Sequence, residues 1–435
     1  MLPHTGGIGE HAMAAARRLS RWTWHTIALA AALIAFAPLP ALAQETSTGA
    51  KQRITYLTGT EEVALGQPRV QIQLRQGERI LSAEAPFNPL DLEGDNRRQT
   101  SLTAYLDTGA SGCVLSAAAA DRFGVQREPE AAFHEVGLHG ATLVDVAKPL
   151  DILMQVSSSK PRKGEDARDL FAPVLKAARF QISREKPDPL LQLAGGEMNI
   201  VGMPVIRSLL VEIDPAPLRG LRGETALLND GPRMVLHDKG SRMSNVDFTI
   251  SLEPIDFSRR KHPDNNGPLP SLATNPVVPA VQSSAGSASF TCDWLLDTGA
   301  AASIISTRHA TALGLLNADG TPARPPDFTL PLGGVGGGGT VRSAPGYVID
   351  GLRIKARNDR LLELRRVHII VRDISTTLDD GRTITLDGVL GMNLLLPSAS
   401  GVTDGVPDKL SDGPFDRIWI DGGRNTLGLT LKAAR

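Results

Sequence analysis

At 435 residues, 41% apolar and 21% charged, the chain has room for two ordinary globular domains and is too apolar for disorder. Its 46 basic and 47 acidic side chains leave a net charge of −1, which excludes a strong electrostatic draw to nucleic acid or an anionic membrane. Cys113 and Cys292 lack the spacing of a zinc cluster, and 43 glycines with 30 prolines ask for many turns and few long helices.

In chain order, Arg17, Arg18 and Arg21 precede an apolar run from Thr26 to Ala43 that is interrupted by Pro38 and Pro40 and ends Ala41-Leu42-Ala43. A basic segment, an apolar stretch and a small-x-small end predict a signal peptide over 1–43, cut after Ala43, and a periplasmic or secreted protein. Contact with a membrane follows only if that leader stays uncut, and the twelve residues before Met13 are unlike a signal peptide, which leaves Met13 beside Met1 as a candidate start. Val70–Leu74 and Gly346–Ile354 alternate apolar and polar residues, the period of a half-buried strand.

Residues 104–116, Ala-Tyr-Leu-Asp-Thr-Gly-Ala-Ser-Gly-Cys-Val-Leu-Ser, return at 294–306 as Trp-Leu-Leu-Asp-Thr-Gly-Ala-Ala-Ala-Ser-Ile-Ile-Ser. After each copy a short Ala-containing stretch ends in a turn, Ala117–Gly124 and Thr307–Gly314, which predicts a brief helix. Farther on, Asn199-Ile-Val-Gly-Met-Pro-Val-Ile206 answers Gly388-Val-Leu-Gly-Met-Asn-Leu-Leu395, and each half closes on an apolar strand, Leu209–Asp214 and Arg417–Asp421. Blocks in the same order at matching spacing mark an internal duplication. They divide the chain into a leader (1–43), a first lobe (44–238) and a second lobe (239–435). Ser157–Arg168 reads as a solvent loop, Leu170–Phe180 as a helix, and Pro254–Gly286 as a flexible insertion between the halves.

Asp107 and Asp297 each sit where an apolar strand runs into a turn. Gly109 and Gly299 let the backbone bend under the carboxylate, and nearby N–H groups can hold its oxygens. Thr108 and Thr298 can turn their hydroxyls to a facing loop. If the halves meet about a pseudo-twofold axis, the two carboxylates share one proton: one serves as base for a water, the other as acid for a carbonyl. That chemistry needs neither metal nor cofactor.

Several local patterns carry less. Gly334, Gly336 and Gly339 fit a dinucleotide-type spacing but have no helix after them, which favours a mobile hairpin. His134 and His139 are wrongly spaced for a metal on one helical face, Ser111 lacks the surroundings of a nucleophile, and Asp379–Asp380 reads as a solvated turn. Each cysteine reads as a small buried strand residue, with pairing between them left open.

The paired Asp-Thr-Gly-Ala motifs at 107–110 and 297–300, with the apolar-apolar-Gly motifs at 200–202 and 389–391, resemble the aspartic proteases of the pepsin and retropepsin superfamily. The Ala after each Asp-Thr-Gly and Gly-Met-Asn-Leu-Leu at 391–395 look more like the retropepsin type, so residues 50–435 resemble a tandem of retropepsin-like lobes. The resemblance implies an all-β fold of two pseudo-twofold-related barrel or sandwich lobes about a central cleft. It implies Asp107 and Asp297 as catalytic dyad, interlocking Thr108 and Thr298, and Gly202 and Gly391 packed behind the loops. The expected activity is endopeptidase cleavage of a polypeptide substrate by a monomer. The expected flaps are Val136–Thr142, with Gly137, Leu138, His139 and Gly140 at its tip, and Gly333–Thr340, with Gly336 and Gly337. No tyrosine stands in the first flap, unlike pepsin-like enzymes. The rival reading is a non-catalytic peptide- or protein-binding module on the same fold.

Overall fold

Alternating apolar residues become strands throughout the computed structural model, which describes residues 53–58, 60, 62–63, 66–84, 98–137, 140–155, 171–184, 197–215, 232–238, 240–256, 265–332, 342–357, 359–377, 383–396, 399–403, 406–410 and 413–432. The fold is all-β, with three main sheets. In the second lobe the strands Ile304–Ile305, Arg360–Val371, Arg342–Lys355, Asn275–Ala285, Ala288–Leu296 and Gly388–Leu390 pair in a closed ring of six, a barrel. The first lobe is an open, curled sheet running in the same circuit. Its equivalent of the long Arg342–Lys355 strand is two strands, Gly140–Ala147 and Leu150–Gln155, so the gap is bridged by the chain through Lys148 and Pro149.

The closing strands of the two halves pair with each other. Leu209–Asp214 lies antiparallel to Phe415–Asp421, with Val211 opposite Ile420, inside a five-stranded sheet built from both lobes. Its inward residues Val211, Ile213, Ile418 and Ile420 are buried in a core continuous with both lobes. At roughly 1.5–3 kcal/mol for each fully buried aliphatic side chain, this sheet is a strong tie between the halves.

The duplicated helices form as expected. Ala117–Arg122 and Thr307–Ala312 are capped by Ser116 and Ser306, whose hydroxyls accept from the backbone N–H of Ala119 and His309 at 3.0 and 3.1 Å. Gly124 and Gly314 end them with φ of +66° and +71°.

Two expectations fail. Phe171–Ala178 is a strand rather than a helix, antiparallel to Leu150–Gln155. It lies on the sheet edge, where proline is tolerated, and register shifts absorb its irregularity. The Pro254–Gly286 stretch is not a flexible insertion: Asn275–Ala285 is an eleven-residue strand of the second barrel, and Glu253–Ile255 pairs with it. Its Pro276, Pro279 and serines disguise the buried Val277, Val278 and Val281, and a bulge at Ala280 (φ 51°) lets the prolines fit. Residues 157–168, most of the leader side of the chain (1–52) and residues 379–380 lie outside the described residues.

The segments that lead into the lobes cross over. Ahead of the first lobe's own sheet, Arg53–Thr58 pairs in parallel with Arg360–Arg365 of the second barrel, and Thr60 bonds His368. Before the second barrel begins, residues 265–275 run along the first lobe. Asn266 pairs with Ala132, the Asn265 side chain accepts from the His134 N–H at 2.7 Å, and Ala273 donates to the Ser111 carbonyl at 2.8 Å.

Both cysteines are free, and burial pushes each thiol up to about 12, so neither is a reactive thiolate at neutral pH. Two histidines of the second lobe are held neutral. His309 is wholly buried between Ser283 and the Asp387 carbonyl, and His368 is lowered to about 4, each chiefly by burial. A histidine lowered on folding leaves stability untouched above the unfolded value near 6.5 and subtracts from it as pH falls toward the folded value. For His368 the loss is on the order of 2–3 kcal/mol by pH 4. The urea midpoint is expected to drop between pH 7 and 4.5, and to drop less in His368→Gln; equal slopes in both proteins would refute this account.

Candidate active site

In each lobe a short strand threads between the two arms of the aspartate loop. Ile200–Val201 runs parallel to Leu102–Leu106 and antiparallel to Val114–Leu115, and Gly388–Leu390 repeats this with Ala288–Leu296 and Ile304–Ile305. The Asp107 N–H donates to the Val201 carbonyl and that of Asp297 to the Leu390 carbonyl, each at 3.0 Å. Gly202 and Gly391 lie directly behind the loops: a Cβ on Gly202 would overlap the Gly112 carbonyl oxygen, and one on Gly391 would stand 2.5 Å from that of Ala302.

The two loops meet through reciprocal threonines. Thr108 Oγ1 donates to the Leu296 carbonyl and Thr298 Oγ1 to that of Leu106, both at 2.6 Å, while each hydroxyl accepts the other threonine's N–H at 3.1 Å. Both threonines are fully buried. Four bonds made without water fix the separation of the loops, and with it the separation of the aspartates.

Asp107 and Asp297 face each other within hydrogen-bonding contact. Each carboxylate sits over the other loop's glycine: a Cβ on Gly109 would stand 2.6 Å from the Asp297 oxygens, and one on Gly299 2.7 Å from Asp107 Oδ1. Asp107 Oδ1 accepts from the N–H groups of Gly109 and Ala110 at 2.7 and 3.1 Å, and Asp297 Oδ1 from Gly299 and Ala300 at 2.8 and 2.9 Å. Burial raises both carboxyl groups above the ordinary range, and the repulsion of Asp107 pushes Asp297 well above it. The pair therefore keeps one proton where isolated carboxylates would have lost theirs. Among the described residues no cluster of three or more His, Cys, Asp or Glu could hold a metal.

A second pair of side chains supports the loops. Asn275 Nδ2 donates to the carbonyls of Thr108 and Gly109 at 3.0 and 2.9 Å, and Gln67 Nε2 donates to the Gly299 carbonyl. The two are equivalent: Arg69 pairs with Tyr105 and Val277 with Leu295, each partner two residues before its aspartate, and Gln67 and Asn275 stand two residues before those. Each amide belongs to a crossing lead-in segment and steadies the opposite lobe's loop. Sequence reading missed both, and Asn275 lay in the stretch taken as flexible. Counting back along the strand register from each Asp-Thr-Gly would have found them. Asn275→Leu should cost about 2 kcal/mol by stranding the buried Thr108 carbonyl and the partly buried Gly109 carbonyl, read as a lower denaturant midpoint at unchanged slope; an unchanged midpoint would refute the clamp.

The first expected flap is a hairpin, Arg127–Gly137 with Gly140–Ala147, closed at the Gly137–Gly140 pair. Leu138 and His139 at its tip lie outside the described residues. In the second lobe Phe328–Leu332 and Arg342–Lys355 form the matching hairpin, and Gly336 and Gly337 also lie outside them.

Searches of this sequence against protein-family models and against curated proteins return no match.

Proposed function

We propose that the chain is an exported aspartic endopeptidase in which Asp107 and Asp297 activate one water against a peptide bond. The observation that carries the reading is the facing pair of carboxylates, each held by two backbone N–H groups and both raised in pKa by burial. One carboxylate takes a proton from the water as its oxygen bonds the scissile carbonyl carbon, and the protonated partner gives its proton to the carbonyl oxygen. The tetrahedral adduct collapses as a carboxyl proton passes to the leaving nitrogen and the C–N bond breaks. An extended peptide would lie between the lobes beneath the hairpins, held by strand-like backbone bonds. One chain supplies both aspartates, so a monomer suffices.

The deciding experiment is cleavage of an unfolded protein by the purified chain from about pH 3 to 8, beside Asp107→Asn and Asp297→Asn. Cutting that vanishes in both variants supports the reading; a folded parent that binds peptides but cuts nothing at any pH supports a binding module instead. Because activity needs the shared proton, kcat/KM should fall as pH rises through the raised pKa of the pair. A rate that keeps rising into alkaline pH would point to a different catalytic group.

A further inference from the structure

In the second lobe, residues 372–387 stand between the long strand Arg360–Val371 and the threading strand Gly388–Leu390. They fold as a hairpin of their own, Ser375–Thr377 against Thr383–Thr385, with the hydroxyls of the paired Ser375 and Thr385 2.7 Å apart. The foot of this hairpin is apolar. Ile374 and Leu386 flank its two strands, the Leu386 N–H donates to the Ile374 carbonyl at 3.0 Å, and both side chains pack on the buried cluster that holds Leu295, Ala302, Ile370 and Val389. Ala300, whose N–H holds Asp297 Oδ1, borders the same cluster. The hairpin therefore rises from the second lobe beside its aspartate loop.

From that foot it reaches the other lobe. Ser375–Thr377 comes within 8 Å, Cα to Cα, of Gly140–Ala147, the strand that returns from the tip of the first-lobe hairpin. Gly140–Ala147 is anchored on both sides only toward its end: Val144–Val146 pair with Gln181–Ser183, whereas from Gly140 to Leu143 the ladder runs only to the other strand of the same hairpin. Among the described residues no ladder joins Ser375–Thr377 to Gly140–Ala147, and the two hairpins belong to separate sheets. The approach thus spans the space between the lobes without a row of backbone bonds to break when it opens, the condition under which local opening is cheap. A peptide lying between the lobes beneath the first-lobe hairpin must pass this approach to enter.

Resting on the peptide-cleft reading above, we propose that the hairpin of residues 375–385 is a latch that closes the mouth of the cleft against the first-lobe hairpin, so that peptide enters and leaves only when the two part. A latch that closes alike over an empty and a filled cleft has no preference between them, so it slows entry and exit by the same factor and leaves affinity alone. A strut between the lobes would affect neither rate, and a surface gripping the peptide would change affinity.

The full chain carrying Asp297→Asn binds without cutting, and a fluorescent dodecapeptide selected on it from a random library is the probe. Because Ile374 and Leu386 already meet, replacing residues 376–384 by Asn-Gly leaves a two-residue turn between Ser375 and Thr385 on an intact foot. In stopped flow the association and dissociation rates should both rise about fivefold or more at an unchanged dissociation constant, as for a site open only a minority of the time. Thr376→Gly with Ile384→Gly, a pair facing across the two strands, loosens the hairpin without shortening it and should move both rates the same way. Unchanged rates in both variants, or a changed dissociation constant, would overturn the latch and leave the cleft reading standing. Absence of any peptide binding by the Asp297→Asn chain would overturn the cleft reading and the latch with it.

Discussion

Asp107→Asn and Asp297→Asn are each expected to lower kcat/KM on the order of 10³–10⁴-fold, the scale of a lost acid–base pair, without unfolding the protein. Asparagine keeps the oxygen that accepts the loop N–H bonds, so the turn survives. It cannot exchange a proton, and either substitution disables base and acid together because the proton belongs to the pair. Stability should move the other way. A carboxyl raised on folding favours the native state at low pH and loses that favour as pH rises through the raised value, where folding must hold a buried charge. Asp297→Asn removes that charge, so the variant should melt above the parent at pH 7, and the gap should shrink toward pH 4. Full activity in either variant, or a uniformly lower melting temperature, would remove the dyad from the account.

Gly202→Ala should prevent folding. The new methyl would overlap the Gly112 carbonyl oxygen and stand 2.6 Å from that of Ala110, both backbone atoms of the aspartate loop. That loop cannot retreat: its other face carries the threonine bonds and the Asn275 clamp. The cost should exceed about 4 kcal/mol, a large fraction of ordinary stability. Gly124→Ala separates sterics from backbone freedom. Gly124 has a left-handed φ but nothing within 4 Å of a new Cβ, so its loss should be only on the order of 1–2 kcal/mol. Soluble yield and urea midpoints compare the two, and a Gly202→Ala protein as stable as Gly124→Ala would mean the loop is looser than its bonds imply.

The parts of the site legible in the sequence are those whose signal is local. Asp-Thr-Gly, the cap serines 116 and 306, and Gly202 and Gly391 each satisfy a backbone requirement within a few residues, and duplication showed them twice. Phe171–Ala178 and Asn275–Ala285 were illegible because their composition points one way and their neighbours another: an edge position tolerates Pro173, and a bulge reconciles Pro279 with a buried strand. Gln67 and Asn275 act across lobes, in contacts that no window along the chain contains. Their roles became readable only once register related one half to the other.

The crossing of the lead-in segments bears on how such a chain could arise. A half-length unit pairing with its own copy would already have each lead-in lying on the partner, and a symmetric pair needs no new contacts when its two genes are joined. Only a connection from the end of one copy to the lead-in of the next is required, and residues 215–264 span that interval. Joining has a second effect. While two identical copies associate, any change in one wall of the cleft appears in both. Within a single polypeptide the two halves are inherited separately, and polar Glu135 and Gln181 at the register positions that Leu332 and Ile370 hold in the other half are what that independence permits.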